Sequence, residues 1–211
     1  MPNSPVISAD AMSKALAGLC LAVLMLLVDM AAKAITSYRE NRKKVKQSSF
    51  VYLAEKQVLL DQAAERICLE VKADHVGLYR LHNGEFFEGD DSIKKMSMAS
   101  EAVGHMGWPR WKDKSQNLLM SNFPHLVLAL DGASKQAFYL VTPENVLDFE
   151  FGRLLNERGL TTCVAMLVRG KKDRPLAMLF LSWRGRHLAA EDLDTTSLDS
   201  YRRDLSFIIS D

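Results

Sequence analysis

The chain has 211 residues, of which 48% are hydrophobic and 25% are charged, and its formal net charge is +1. This length predicts one folded domain with an appendage. The near-neutral balance argues against a nucleic-acid-binding protein, which would carry a basic face or a high pI. Cys20, Cys68 and Cys163 are isolated from one another and offer no ligand-spaced pair, so we expect buried thiols and neither a zinc site nor a disulfide framework.

An apolar run begins at residue 15 and reads ALAGLCLAVLMLLV without a charge. If Asp29 is tolerated near the interface, the run extends to residue 32 and approaches the roughly 20 residues that span a bilayer. We therefore predict a transmembrane helix over residues 15–35, behind a tail of residues 1–14. A cleaved signal peptide is disfavoured because Lys14 is the only basic residue before the run and Met30-Ala31-Ala32 is a poor cleavage site. A buried core helix is the other alternative.

A basic connector follows at residues 36–49. Glu40 is the only acidic residue in this part of the chain. Six cationic residues lie within the connector or next to it, namely Lys33, Arg39, Arg42, Lys43, Lys44 and Lys46. The positive-inside rule then predicts a single-pass protein with a cytoplasmic C-terminal domain. The same cluster is expected to contact anionic lipid; a nucleic-acid patch is the weaker interpretation.

From Thr36 to Val71 the chain contains neither proline nor glycine, and apolar residues recur close to helical spacing in its second half. This predicts a helix that packs on the following sheet, with a break at Ser48-Ser49. A membrane helix that continues into a cytoplasmic helix can dimerise and relay a signal, or it can serve as a passive tether. The residues leave both interpretations open.

The remaining chain alternates strand and helix patterns. The Asn83-Gly84 pair predicts a hairpin after the first strand, with Phe86-Phe87 starting the return. Gly159 ends a predicted helix. The predicted elements in chain order are a strand at 75–81, a strand at 95–101, an irregular segment at 104–122, an apolar stretch at 126–130, a short strand at 137–141, a helix at 145–158, strands at 161–168 and 176–183, and a closing helix at 189–209. Antiparallel strands with helices gathered on one side predict an α+β domain.

This order resembles a GAF domain, a small-molecule sensor fold related to PAS, over residues 48–211. The resemblance rests on the entering and closing helices and on four segments, HVGLYRLHNGE, DFEFGRLLNERGL, TTCVAMLVRG and RPLAMLFLSWRG. It implies a six-stranded antiparallel sheet with the terminal helices on one face, a ligand cavity on the other, and dimerisation through those helices. We accordingly assign residues 50–211 to a GAF-like domain.

No family ligand carries over with this resemblance. The phosphodiesterase-type nucleotide motif Asn-Lys-x-n-Phe-x-x-x-Asp-Glu is absent, and no cysteine stands where a bilin would attach. The cofactor is therefore unknown.

Candidate ligand-binding residues come from three places. His82 lies at the predicted hairpin tip, although Asn-Gly needs only turn chemistry there. Aromatic residues of the irregular middle can form a pocket wall or a cap over the core, and Ser97, Ser100 and Glu101 end the strand at 95–101, where they could supply polar contacts. The candidates are Tyr79, His82, Ser97, Ser100, Trp108, Trp111 and Phe123. His75 and His82 are expected on opposite faces of the strand, which disfavours a shared metal.

No catalytic motif is present: Gly-x-Ser-x-Gly, His-Glu-x-x-His and the Walker phosphate loop are all absent. We therefore expect no enzyme. The expected function is a membrane-anchored cytoplasmic sensor that binds a small ligand, forms a homodimer and signals through a partner protein. The alternatives are a ligand-free protein-interaction scaffold at the membrane and a small phage or lysis-type membrane protein.

Overall fold

The computed structural model describes residues 25–26, 28–37, 50–83, 94–131 and 138–210. The chain divides into two compact units, Met1–Leu53 and Ala54–Asp211. In the first unit, residues 25–26 and 28–37 are helical. Within the described residues, no helix is both long and apolar enough to cross a bilayer. Most of the run at 15–35 lies outside those residues, so the transmembrane helix stays a prediction.

The second unit is built on one six-stranded, fully antiparallel sheet in the order β3-β2-β1-β6-β5-β4. The long strands β1, β2, β5 and β6 coincide with the predicted ones, whereas the connection after β1 at residues 84–93 lies outside the described residues. The strands are β1 His75–Asn83, β2 Lys94–Val103, β3 Leu118–Leu119, β4 Tyr139–Val141, β5 Thr162–Arg169 and β6 Pro175–Trp183.

Four α-helices complete this part of the chain: α1 Phe50–Val71, α2 Pro124–Asp131, α3 Phe149–Glu157 and α4 Thr195–Ser210. The helices α1 and α4 pack on one side of the sheet, called the first face, and α2 and α3 pack on the other, called the second face. Because both faces are covered, every residue of β5 from Thr162 to Val168 is buried.

The core of the first face is aliphatic. Leu60, Ile67 and Leu205 from the two helices meet Val76 and Leu179 from the central strands, each at most 1% exposed. The core of the second face is richer in aromatic and sulfur-containing side chains, which include Tyr79, Met96, Met98, Trp111, Phe123, Phe151 and Phe180.

The helix predicted over 145–158 begins later, at Phe149. Residues 143–145 form a turn, in which the side-chain oxygen of Asn145 accepts from the Thr142 amide at 2.8 Å. The Asp148 carboxylate accepts from the amides of His125 and Leu126, the first free donors of α2. Because the Asp148 side chain binds the N-terminus of α2, Asp148 stays outside α3, which begins at the next residue.

Other boundaries also shift. The apolar stretch at 126–130 is helix α2, and the closing helix begins at Thr195 because Asp194 accepts from the amide of Thr196 and the hydroxyl of Ser197. The preceding residues Ala190–Asp192 form a separate 3₁₀ turn.

A β-bulge in β2 decides which polar residues face which core. Leu78 pairs with Ser100 but Tyr79 pairs with Met98, so Ala99 is the extra residue. The Gln57 side chain of α1 donates to the Ala99 carbonyl at 2.9 Å. After the bulge the alternation of faces is reversed, and this reversal turns Glu101 towards the second face.

Candidate functional site

A small cavity lies inside the second face, between the sheet and α3. Its volume is about 30 Å³, which holds one or two water molecules in the present conformation. Five residues with polar atoms border it: His75, Tyr79, Arg158, Cys163 and Ser182. We call these five residues the second-face site. Apolar side chains form the rest of the wall, namely Met96, Leu118, Phe123, Phe151, Leu154, Leu155, Leu160 and Phe180.

His75 and Glu101 form a buried pair at one end of the site. The His75 Nε2 lies 2.9 Å from the Glu101 carboxylate, and the two side chains are 4% and 0% exposed. Burial lowers the pKa of His75, so the ring is neutral near pH 7 and its Nε2–H donates to the carboxylate. Burial opposes ionisation of Glu101, but hydrogen bonds from His75 and from the Trp111 amide outweigh it and lower the pKa of this carboxyl.

Glu101 also fixes the segment that follows β2. Its carboxylate oxygens accept from the backbone amides of Trp111 and Lys112. The Trp111 ring lies against His75, with 4.4 Å between ring centroids. One buried carboxylate therefore holds both the histidine and the irregular segment at the edge of the cavity.

Two arginines stack on the tryptophans of this segment. The Arg158 guanidinium lies 4.7 Å from the Trp111 ring centroid and donates to Ser115 Oγ at 2.8 Å and to the Tyr79 hydroxyl at 3.4 Å. The Arg184 guanidinium lies 4.7 Å from the Trp108 ring and 5.5 Å from the Trp111 ring. These contacts place positive charge at the polar end of the site.

Cys163 is a poor nucleophile. Its side chain is buried beside the Ser182 hydroxyl, which lies 3.4 Å from its sulfur. Burial raises the pKa of this thiol to about 12, so the thiolate needed for covalent attachment is scarce at neutral pH. The site therefore favours reversible binding over covalent chemistry.

The structure separates the seven sequence-predicted ligand residues into two groups. Tyr79 and Phe123 border the cavity and Trp111 packs on His75 at its edge, whereas Trp108 is half-buried and stacks outside on His105 and Arg184.

The other three candidates lie on the first face. Ser100 donates to the Leu60 carbonyl and lies 2.6 Å from the Asp61 carboxylate, so it contacts α1. His82 contacts Ser97 at 2.9 Å, and both follow the alternation that points to the first face. The structure thus does not bring His82, Ser97 and Ser100 together with the cavity.

The sequence analysis named Glu101 only as a possible polar contact at the end of its strand, and it did not select His75, Arg158, Cys163 or Ser182 as site residues. Arg158 directly follows the last residue of α3, and His75 is the first residue of β1. Neither residue belongs to a recognisable sequence motif. One usable signal was present: Cys163 and Ser182 are reactive or polar residues inside the predominantly apolar strands β5 and β6. Glu101 carried no such signal because its face depends on the bulge.

Comparison by sequence finds no matching family model and no matching curated protein. Comparison of structures finds many similar chains. The phycocyanobilin-bound GAF domain of a cyanobacterial phytochrome has a TM-score of 0.55 at 14% identity, over 82% of this chain and 91% of that one. The fold is that of a GAF domain.

Two further neighbours agree with the GAF-like fold. The PixJ GAF domain of Thermosynechococcus elongatus, in its blue-light absorbing form, has a TM-score of 0.53 at 12% identity, over 77% of this chain and 88% of that one. The GAF domain region of a putative membrane protein from Geobacter sulfurreducens PCA has a TM-score of 0.51 at 12% identity, over 75% and 95%. Identities this low establish the fold, not a shared ligand.

Proposed function

We propose that this chain is a membrane-anchored sensor, whose GAF-like domain binds a small ligand reversibly at the second-face site and signals through a partner protein. The observation that carries the proposal is the second-face site itself. Polar groups from β1, the end of α3, β5 and β6 converge on one cavity in a core that is otherwise apolar. Convergent polar groups in an apolar cavity are the general signature of a small-molecule site.

The cavity limits the ligand's size. A bilin, such as the phycocyanobilin bound by the phytochrome neighbour, is far larger than a space of about 30 Å³. Short-chain carboxylic acids and single-ring heterocycles are the best candidates, because Arg158 and the Tyr79 hydroxyl can donate to them. Both are larger than the present cavity, which enlarges when the partly buried Leu154 moves aside. We therefore place the ligand among small, partly apolar molecules that carry an acceptor group.

Membrane attachment rests on the sequence and on one structural feature. In the helical residues 28–37, Lys33 Nζ lies 2.7 Å from the Asp29 carboxylate, one turn away. An ion pair of this kind reduces the cost of a charged residue at the end of an apolar run. It supports tolerating Asp29 at the cytoplasmic end of the span.

A thermal-unfolding screen of the full chain in mild detergent tests ligand binding. The panel consists of short-chain carboxylic acids and single-ring heterocycles. A compound that binds only the folded state raises the unfolding midpoint with concentration, by an amount equivalent to about 2.7 kcal/mol at 100 times its Kd.

Two variants at α3 serve as a matched pair in that screen. Arg158→Met removes the donor at the site and should abolish the ligand-dependent rise. Arg153→Met, on the exposed side of the same helix, should retain it. A panel without any stabilising compound, or an equal rise in both variants, would contradict the proposal.

A ligand-free dimeric interaction module is the second candidate, and a separate observation favours it. On α1, Val58 and Leu69 are 54% and 77% exposed. Val58 and Leu69 are three helical turns apart and so share one side of α1. Large apolar side chains gathered on one surface mark an interface, and a second copy of the chain is the occupant that we propose.

Sedimentation of the full chain in detergent tests this second candidate. Val58→Glu with Leu69→Glu should shift a dimer to monomer without unfolding the domain, because both side chains are exposed. Leu147→Glu with Phe149→Glu makes the same exchange at exposed positions outside α1 and α4 and should leave the dimer intact. A wild-type monomer at all concentrations would remove this candidate.

A further inference from the structure

A basic surface lies at one end of the domain, where the β5–β6 hairpin meets the last turns of α4. Arg169 and Lys171 of the hairpin and Arg202 and Arg203 of α4 border one open concavity of about 580 Å³. Arg174, at the end of the hairpin loop, is also exposed. We call these five cations, together with the exposed ring of Phe207, the hairpin–α4 surface.

Part of this charge is structural. Arg169 lies 2.7 Å from Asp131 and 3.4 Å from Asp173, and Arg202 lies 2.8 Å from Asp199. Lys171 and Arg174 form no ion pair with any described residue, and both are exposed. Lys171 and Arg174 therefore present their charge to solvent.

This surface lies where the chain enters the domain. Lys56, in the second turn of α1, donates to the Ile209 carbonyl at 2.7 Å, and the Ser206 hydroxyl donates to the Arg169 carbonyl at 2.5 Å. The second turn of α1, the end of α4 and the hairpin are therefore neighbours. The residues that precede α1 are the basic connector at 36–49.

We propose that the hairpin–α4 surface binds the anionic headgroups of a lipid bilayer. Lys171, Arg174 and Arg203 would contact lipid phosphate and carboxylate groups, while the Phe207 ring enters the interfacial layer. Each Lys or Arg at an anionic surface strengthens attachment by about fivefold. The proposal goes beyond the proposed function, because it assigns the domain's orientation on the bilayer and not its ligand.

Full-length chain in lipid nanodiscs provides the test. Amide hydrogen exchange of residues 169–174 and 202–208 is compared in phosphatidylcholine discs with and without phosphatidylserine. Exchange should be slower in the anionic discs, and the triple variant Lys171→Glu, Arg174→Glu, Arg203→Glu should lose that difference. The control variant Arg110→Glu, Lys114→Glu reverses two exposed charges near the other end of β6 and should keep it. Equal exchange in both lipids, or equal loss in both variants, would overturn the proposal.

A second experiment applies if residues 15–35 do not anchor the chain in a membrane. If the chain stays soluble instead of entering the discs, its co-sedimentation with phosphatidylserine and phosphatidylcholine vesicles measures this surface together with the basic connector at 36–49, and the difference between the wild type and the triple variant isolates this surface. Binding should then be selective for phosphatidylserine and fall by about a hundredfold in the triple variant. No selective binding would reject the hairpin–α4 surface as a lipid site, whatever the fate of the anchor.

Discussion

At the residue scale, the second-face site depends on a neutral histidine held by a buried carboxylate. His75 and Glu101 face each other only because Ala99 is inserted as a bulge in β2. Plain alternation would have placed Ser100, and not Glu101, on the side of Met96 and Met98. The sequence predicted the strand but not the bulge, since the Gln57 contact that accompanies it comes from a helix 42 residues away.

The lowered pKa of His75 predicts a pH dependence of stability. As the pH falls, the unfolded chain, in which the histidine pKa is near 6.5, binds a proton at a higher pH than the folded chain does. The stabilisation is therefore complete above pH 6.5 and is lost as the pH falls through the lower, folded-state pKa. Glu101, whose pKa is also lowered in the fold, adds a loss in the same direction at more acidic pH, below its ordinary value of 4.5.

Urea unfolding between about pH 7.5 and pH 5.5 measures this effect. His75→Gln should flatten the dependence, because it removes the titrating group. His187→Gln, at an exposed position, should leave the wild-type slope unchanged. Identical slopes in both variants would show that His75 does not titrate as described.

At the element scale, the sheet and the terminal helices were predictable and the segments between them were not. Periodicity located β1, β5, β6 and α1 because their burial pattern is regular. The predicted start of α3 was wrong because the Asp148 carboxylate accepts hydrogen bonds from the first amides of α2. Partners that are distant in sequence decide such boundaries, and local patterns do not contain them.

The turn after β2 provides a test of packing at this scale. A Cβ at Gly104 would lie 2.6 Å from the Ala73 carbonyl oxygen, a backbone atom that cannot move independently. Gly104→Ala should therefore destabilise the domain by about 1–3 kcal/mol. Because this turn follows Glu101, the substitution should also loosen the contact between Trp111 and His75.

Gly152→Ala is the matched control. There the new Cβ would lie 2.9 Å from a Val146 methyl group, the end of a side chain that can rotate away. The gain in helix propensity within α3, about 1 kcal/mol, offsets this contact. The midpoints of urea unfolding measure both changes. An equal loss in the two variants would contradict the account of Gly104.

At the scale of the whole molecule, the element order alone led to the GAF-like fold, and the structural neighbours agree with it. The ligand site was not predictable to the same degree. Cavity volume depends on how the side chains of α2 and α3 fill the second face, and Phe123, Phe151 and Phe180 fill most of it. The proposed ligand is therefore smaller than the fold by itself would suggest.

The central claim is that a small molecule binds inside the second face. Methyl NMR of methionine tests it most directly, because Met96 borders the cavity whereas Met166 lies in the core of the first face. Titrating the full chain with the most stabilising acid or heterocycle of the panel should shift the Met96 methyl signal saturably and leave Met166 in place. An unmoved Met96 signal, or equal shifts of both methyl groups, would contradict binding at this site.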